Sequence, residues 1–385
     1  MNFDIICASY DTPQKLKAQA DYVCPKEDAR PVLQAAIDEA DALGVKCVLL
    51  KGTYIINSCG ERSKNGAICF FNPEEKKFIY KNVARYHILE GAVTPLGWLD
   101  GAVITLGKEF YDSLSDTEEF SVFYTDGGDW FARGMYIKNI VVRLPGNYKP
   151  VIVFDASCAS AVRYEDDWVT SVHPDDFDPR NAEGIPVPNA ASTAFRGCTG
   201  SNFFSTEWKN CAAIGFGTGF AIGGEHVYCE SLSALYNIYG FTFDCYKGKD
   251  YFDMPKDAHP RGVVMYPITC VNLLDEHSIN LPKFGNTSHC GETPEEWAHS
   301  ITIRGMNIQW PNTAPGYTDR EAADFLKGRS RATEVQPGSW RGSVEAVLDH
   351  TQSGCRVFLC DEPFFEEGHG TNITFRSLHT KPGKE

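Results

Sequence analysis

The chain has 385 residues, 43% hydrophobic, 23% charged and 12% aromatic, which is the composition of a globular protein with length enough for a large core. Fifty-one acidic against 36 basic side chains leave a net charge of −15, which repels phosphate backbones and anionic membranes at long range. Neither nucleic acid nor a membrane is therefore an expected partner. No apolar run approaches the ~20 residues of a membrane-spanning helix. The opening stretch has no cationic start followed by an apolar run, so no secretory leader is expected in it. Fourteen cysteines stand singly, without a CxxC pair or a cysteine–histidine cluster at zinc spacing. The expectation is reduced thiols in a cytoplasmic protein; the alternative is a secreted protein with a few disulfides.

Residues 20–58 contain one helix and two strands. Asp28 and Pro31 mark a helix start. Val32, Leu33, Ala36, Ile37 and Ala40 then recur at helical spacing, and Gly44 closes the helix. Val45 to Leu50 reads as a short strand, and Lys51-Gly52-Thr53-Tyr54 turns into a second one at Ile55-Ile56. Together, the Ala-Asp-Tyr-Val-Cys run, the LQAAIDEA helix and VLLKGTYII resemble the N-terminal cap of the pectin-lyase-like right-handed parallel β-helix proteins. The resemblance implies an all-β, single-stranded right-handed parallel β-helix with a capping helix and long loop excursions. It covers this segment alone and says little about a reaction.

Beyond residue 60 the one helical pattern is Arg320 to Lys327. Short apolar strands bounded by Gly, Asn and Asp recur instead, at Ile140-Val142, Val151-Phe154, Phe241-Phe243, Val263-Met265, Ile301-Ile303 and Ile373-Phe375. Gly219, Gly240 and Gly262 each open such a strand, 21 and 22 residues apart, a period that suits one solenoid rung per repeat. Excursions are expected at 164–191, 246–260 and 283–298, with a further loop, the short helix and the last coils in 311–385. The whole chain reads as one domain, with cap and first coil in 1–60 and coils in 61–310.

Known catalytic patterns on this fold are matched only in fragments. Gly368-His369-Gly370 resembles one element of the polygalacturonase set, but no Arg-x-Lys follows it. The acidic pairs Asp166-Asp167 and Asp175-Asp176 lack a preceding Asn-Thr-Asp. Arg143-Leu-Pro145 begins the pectate-lyase motif, but Tyr148 stands where its last arginine belongs. Uronate chemistry needs cations against the sugar carboxylate, and no dense Lys/Arg stripe is visible in the sequence.

Neutral oligosaccharides are therefore the expected substrates, hydrolysed or transferred by a carboxyl pair. Aligning the three glycines puts Asp244 between Gly223 and Tyr266, with Glu225 two positions along the adjacent coil and about 8 Å away. Those two residues are the expected catalytic pair, and His226 is a hydrogen-bonding neighbour. Glu207 is the further catalytic candidate. Alternation sets it opposite Trp208, so that either the glutamate or the tryptophan faces a groove. Arg196 is expected to orient a carboxylate, and Tyr266, Trp208 and Trp310 to stack sugar rings. Asp275-Glu276-His277 is dense in ligand types, yet consecutive strand residues alternate faces. No cofactor is expected for a hydrolase, and calcium would serve only a lyase. The alternatives are a lyase or epimerase on uronates and a non-catalytic, tail-spike-like glycan-binding protein. The resemblance also implies a homotrimer, because lateral faces of parallel β-helices pair readily.

Overall fold

The computed structural model describes residues 4–70, 86–95, 100–125, 134–157, 159, 161–172, 187–197, 206–223, 227–243, 266–276, 278, 283–284, 299–309, 342–348 and 373–377. Its strands pair only in parallel, in a sheet of eighteen strands and one of seven. The chain winds as a right-handed parallel β-helix, the hand that parallel crossovers take. Each complete coil lays down three strands. One such coil is Ala161–Glu165, Trp168–Thr170 and Thr193–Arg196; the next is Thr206–Lys209, Ala212–Ile214 and Thr218–Ala221. Corresponding strands stack in register and form three columns, the first two belonging to the larger sheet.

A residue with positive φ bends the chain between the first and second columns. It is Asn139, Asp166, Asn210, Ser231 or Asn272 in successive coils. Asparagine and aspartate tolerate this left-handed conformation better than most side chains. The turns are also bonded to one another: Asn139 N–H donates to the Glu165 carbonyl, Asp166 N–H to Lys209, and Asn210 N–H to Glu230. Asp167, read from the sequence as part of a polar loop, is fully buried in this stack. Its carboxylate accepts the N–H groups of Ile140 and Glu165 at 2.9 and 3.2 Å. Burial pushes that carboxyl well above the usual range.

The interior is held by a ladder of phenylalanines in the third column. Phe123, Phe154, Phe195, Phe220 and Phe241 occupy equivalent positions in five coils, all without solvent exposure. Their centroids lie 4.9 to 5.4 Å apart, with Phe195, Phe220 and Phe241 stacked nearly parallel, 12° between successive rings. Tyr164 and Trp208 project from the first column against this ladder, at 5.4 Å from each other.

At the N-terminal end, helix Arg30–Leu43 buries Leu33, Ala36, Ile37 and Ala40, the face expected from their spacing, and ends on Gly44 at φ 74°. Ala29 is the N-cap residue, while the Asp28 carboxylate accepts the Arg30 and Asn57 N–H groups. Gln34 closes the edge of the smaller sheet. Its amide donates to the Cys69 carbonyl and accepts the Cys69 N–H, both at 2.8 Å, as a neighbouring strand would.

The glycine register holds for one step. Thr218–Ala221 pairs with Tyr239–Phe243, with Phe220 opposite Phe241, as aligning Gly219 with Gly240 requires. The strand stacked next on Tyr239–Phe243 is Lys283–Phe284, well beyond Gly262, so Gly262 does not open the neighbouring rung. Two expected excursions also contain strand: Trp168–Thr170 lies within 164–191, and Lys283–Phe284 within 283–298. Residues 246–260, Val263-Met265 and Arg320 to Lys327 lie outside the described residues.

Phe220→Ala removes the ring stacked between Phe195 and Phe241 and is expected to cost about 3–5 kcal/mol. Val187→Ala, at a site 70% exposed, should stay within about 0.5 kcal/mol of the parent. Urea unfolding of both variants checks this, and equal midpoints would show that the ladder does not carry the core.

Candidate active site

The residue after each ladder phenylalanine points out of the coil. Strand register therefore places Tyr124, Asp155, Arg196, Ala221 and Thr242 in one outward row across five coils of the third column. Arg196 is the centre of a charged cluster there. Its Nη1 lies 2.9 Å from Glu119 Oε2 and its Nη2 2.9 Å from Glu119 Oε1, a fork-on-fork contact. The same Nη1 lies 3.7 Å from Asp155 Oδ2. Two carboxylate oxygens thus share one nitrogen, and their separation cannot exceed the sum of their distances to it.

Local structure fixes each partner. Glu119 immediately precedes strand Phe120–Tyr124, and Asp155 ends strand Val151–Asp155. Asp155 Oδ2 accepts the Ser121 hydroxyl at 2.8 Å, and its Oδ1 accepts the Ser157 N–H at 3.1 Å. The Arg196 and Asp155 side chains are each 12% exposed, and Glu119 is 36% exposed. Tyr124 lies over Gly66 on the preceding coil, where a Cβ would come within 2.4 Å of its ring. One anchored and one exposed carboxylate, with a cation between them, can divide base and acid roles.

The residues expected from the sequence are described only in part. Asp244, Glu225, His226 and Trp310 lie outside the described residues. The Gly262 alignment that set Tyr266 beside Asp244 does not hold: Tyr266 belongs to the first-column strand Tyr266–Glu276, paired with Val227–Glu230 and His299–Gln309. Trp208 has no solvent exposure and packs against Tyr164, Phe195 and Phe220, so it does not stack a sugar. Glu207 faces outward, as alternation requires, on strand Thr206–Lys209 of the larger sheet. Its cations are Lys209 at 3.2 Å and Arg163 at 3.9 Å. Arg196 does orient carboxylates, but they are Glu119 and Asp155.

Sequence reasoning missed Glu119 and Asp155, which are far apart in the chain. The recurring pair of a phenylalanine and its successor (Phe123-Tyr124, Phe154-Asp155, Phe195-Arg196) was the signal that could have set Asp155 beside Arg196. Among the described residues, no three His, Cys, Asp or Glu side chains are grouped to hold a metal, and eight cysteines are free thiols. Asp275 is 2% exposed whereas Glu276 is only half-buried, which agrees with the alternating faces of a strand.

No family model matches the chain, and no curated protein matches it. Among solved structures, the A-module of the Azotobacter vinelandii mannuronan C-5 epimerase AlgE4 aligns at 13% identity and a TM-score of 0.38. That alignment covers 84% of this chain and 72% of that one. The architecture described above rests on strand pairing, not on this likeness.

Asp275 provides a test of the interior. It lies under Gly240, where a Cβ would come within 2.3 Å of its carboxylate, and its Oδ1 has no hydrogen-bond partner among the described residues. Burial, with the Glu276 charge adding to it, pushes this carboxyl up to about 7. The folded value lies above the unfolded one, so its stabilising contribution is complete below pH ~4 and lost as pH rises through about 7. Asp275→Asn should therefore flatten the decline of melting temperature between pH 4 and 8. An unchanged pH profile would refute this.

Proposed function

We propose that the chain is a carbohydrate-active enzyme, a glycoside hydrolase or glycan transferase, whose carboxyl pair is Asp155 and Glu119. The observation that carries this reading is the shared Arg196 Nη1, which holds both carboxylates on one outward face of a rigid coil stack. Asp155, anchored by Ser121 and the Ser157 N–H, serves as base or nucleophile. Glu119, on the more exposed side, delivers the proton to the leaving oxygen. A sugar hydroxyl that draws the guanidinium away from Glu119 removes the charge favouring its ionised form, which readies it as the acid. Arg196 positions both groups and hydrogen-bonds the sugar.

A second reading is favoured by the same guanidinium. A sugar carboxylate can replace Glu119 on the Arg196 fork, and Asp155 then removes the proton next to that carboxylate, as a lyase or epimerase on uronates requires.

Mass spectrometry of products from neutral and uronic oligosaccharides, with and without calcium, separates the readings. Fragments that have gained one water, or glycosyl transfer products, are expected. Asp155→Asn and Glu119→Gln should each lower kcat about 100- to 10,000-fold with an unchanged circular dichroism spectrum. Fragments with an unsaturated end, or epimerised uronates, would replace the first reading by the second. Full activity in both variants would remove this site from the reaction. Binding without any turnover would leave a tail-spike-like glycan-binding protein.

A further inference from the structure

A second array of polar side chains lies on the larger sheet, on the outward face of the first column. One row across four coils is Tyr136, Arg163, Glu207 and Tyr228. Beside it runs Glu90, Lys138, Glu165, Lys209 and Glu230, with the sign of charge alternating at every rung. The face is open: the charged side chains that pair across it are 26 to 38% exposed.

Alternation follows from in-register stacking, since like charges on adjacent rungs about 4.8 Å apart would repel. Lys138 meets Glu165 at 2.8 Å, and Lys209 meets Glu207 at 3.2 Å. Burial opposes ionisation of Glu165, but the Lys138 ammonium and the Tyr136 hydroxyl outweigh it and hold its carboxyl below the usual range. Exposed pairs of this kind contribute little stability each. Their positions nonetheless leave the two tyrosines oriented. Tyr136 donates to Glu165 at 2.5 Å, Tyr228 donates to Glu230 at 3.2 Å, and the Lys209 ammonium lies 5.6 Å from the Tyr228 ring centroid. A phenol tied down by its own hydroxyl offers its ring to a partner.

The charge balance selects the partner. With Lys46, which pairs with Glu90 at 2.8 Å, the strip holds four cations and four carboxylates, within a chain at −15. A polyanion gains no net attraction here and is repelled by the remainder of the surface. A tightly bound protein is also disfavoured, because stable interfaces are depleted in Lys and Glu. A neutral polyhydroxylated chain fits both features. Its C–H faces suit the tyrosines, and its hydroxyls can accept from Arg163 and the lysines and donate to Glu207. Tyr136 and Tyr228 are three rungs apart, about 14 Å, with Arg163 and Glu207 between them.

We propose that this strip binds an extended neutral glycan running along the axis of the coil stack, on a different sheet from the Asp155–Glu119 pair. The inference rests on the carbohydrate reading and adds to it a polymer-holding site separate from the bond-breaking one.

Affinity electrophoresis of the full chain in gels containing galactomannan, xylan or mixed-linkage β-glucan, and separately alginate, tests it. At least one neutral polymer should retard the parent. The double variant Tyr136→Ala/Tyr228→Ala should bind about tenfold more weakly or worse, and Tyr136→Phe/Tyr228→Phe should keep the retardation. Asp155→Asn should also remain retarded, so failure of the carboxyl-pair reading appears in turnover and failure of the strip appears in mobility. A melting curve establishes that the alanine variant is folded. If that folded variant runs like the parent, or no neutral polymer retards the parent, the proposal is overturned. Retardation by alginate alone, abolished at high salt, would overturn it as well.

Discussion

Apart from the edge strands, each described strand obtains its backbone partners from the coil before it and the coil after it, so in-register stacking is the constraint from which the other features follow. A shift of one residue in any coil would reverse its inward and outward side chains and leave a phenylalanine in water. The ladder from Phe123 to Phe241 and the turn residues from Asn139 to Asn272 act against such a shift from two sides. The first requires an aromatic side chain at one position, and the second a residue that accepts positive φ at another. Between them the chain can lengthen freely. The stretch from Trp208 to its rung neighbour Cys229 is less than half as long as the one from Tyr164 to Trp208.

The same constraint organises the surface. Stacking turns each outward position into a row with rungs about 4.8 Å apart, so chemistry arises from residues distant in sequence and adjacent in register. In the third column this joins Asp155 and Arg196, with Glu119 reaching in from the edge of the preceding coil. In the first column it produces an alternating strip whose charges cancel. A largely buried guanidinium gripped by one carboxylate and close to another is suited to handing charge between partners. A balanced strip with oriented phenols is suited to holding a chain of hydroxyls.

The N-terminal end of the described stack is treated differently from its middle. At the N-terminal end the helix Arg30–Leu43 covers the apolar interior, and the Gln34 amide occupies the hydrogen-bonding edge at Cys69. One side chain thus replaces a strand, and the edge is not left open to another chain. Below the helix the interior is tightly filled by Leu33, Leu49, Tyr54 and Ile56, all without exposure. Farther along, Asp275 takes the position that Val169, Ala213 and Ala234 hold in the preceding coils, a polar interruption of that row.

What the sequence determined by itself was local. The cap helix and the strands around Val45 and Ile55 were legible because their apolar spacing and the closing Gly44 are short-range signals. Strands such as Val151–Asp155 and Ile373–Ser377 were legible for the same reason. The outward direction of Glu207 followed from alternation, once the opposite face was known to bury Trp208. Only the tertiary structure decided which coil lies on which. Loop length varies from coil to coil without disturbing register, so the true neighbour of Tyr239–Phe243 is Lys283–Phe284 and not a strand opening at Gly262. That choice separates Tyr266 from the place expected for it and brings Asp155 and Glu119 to one guanidinium. The repeated phenylalanine pairs hint at Asp155 beside Arg196, but no spacing in the sequence encodes the approach of Glu119, because it depends on which coils are neighbours.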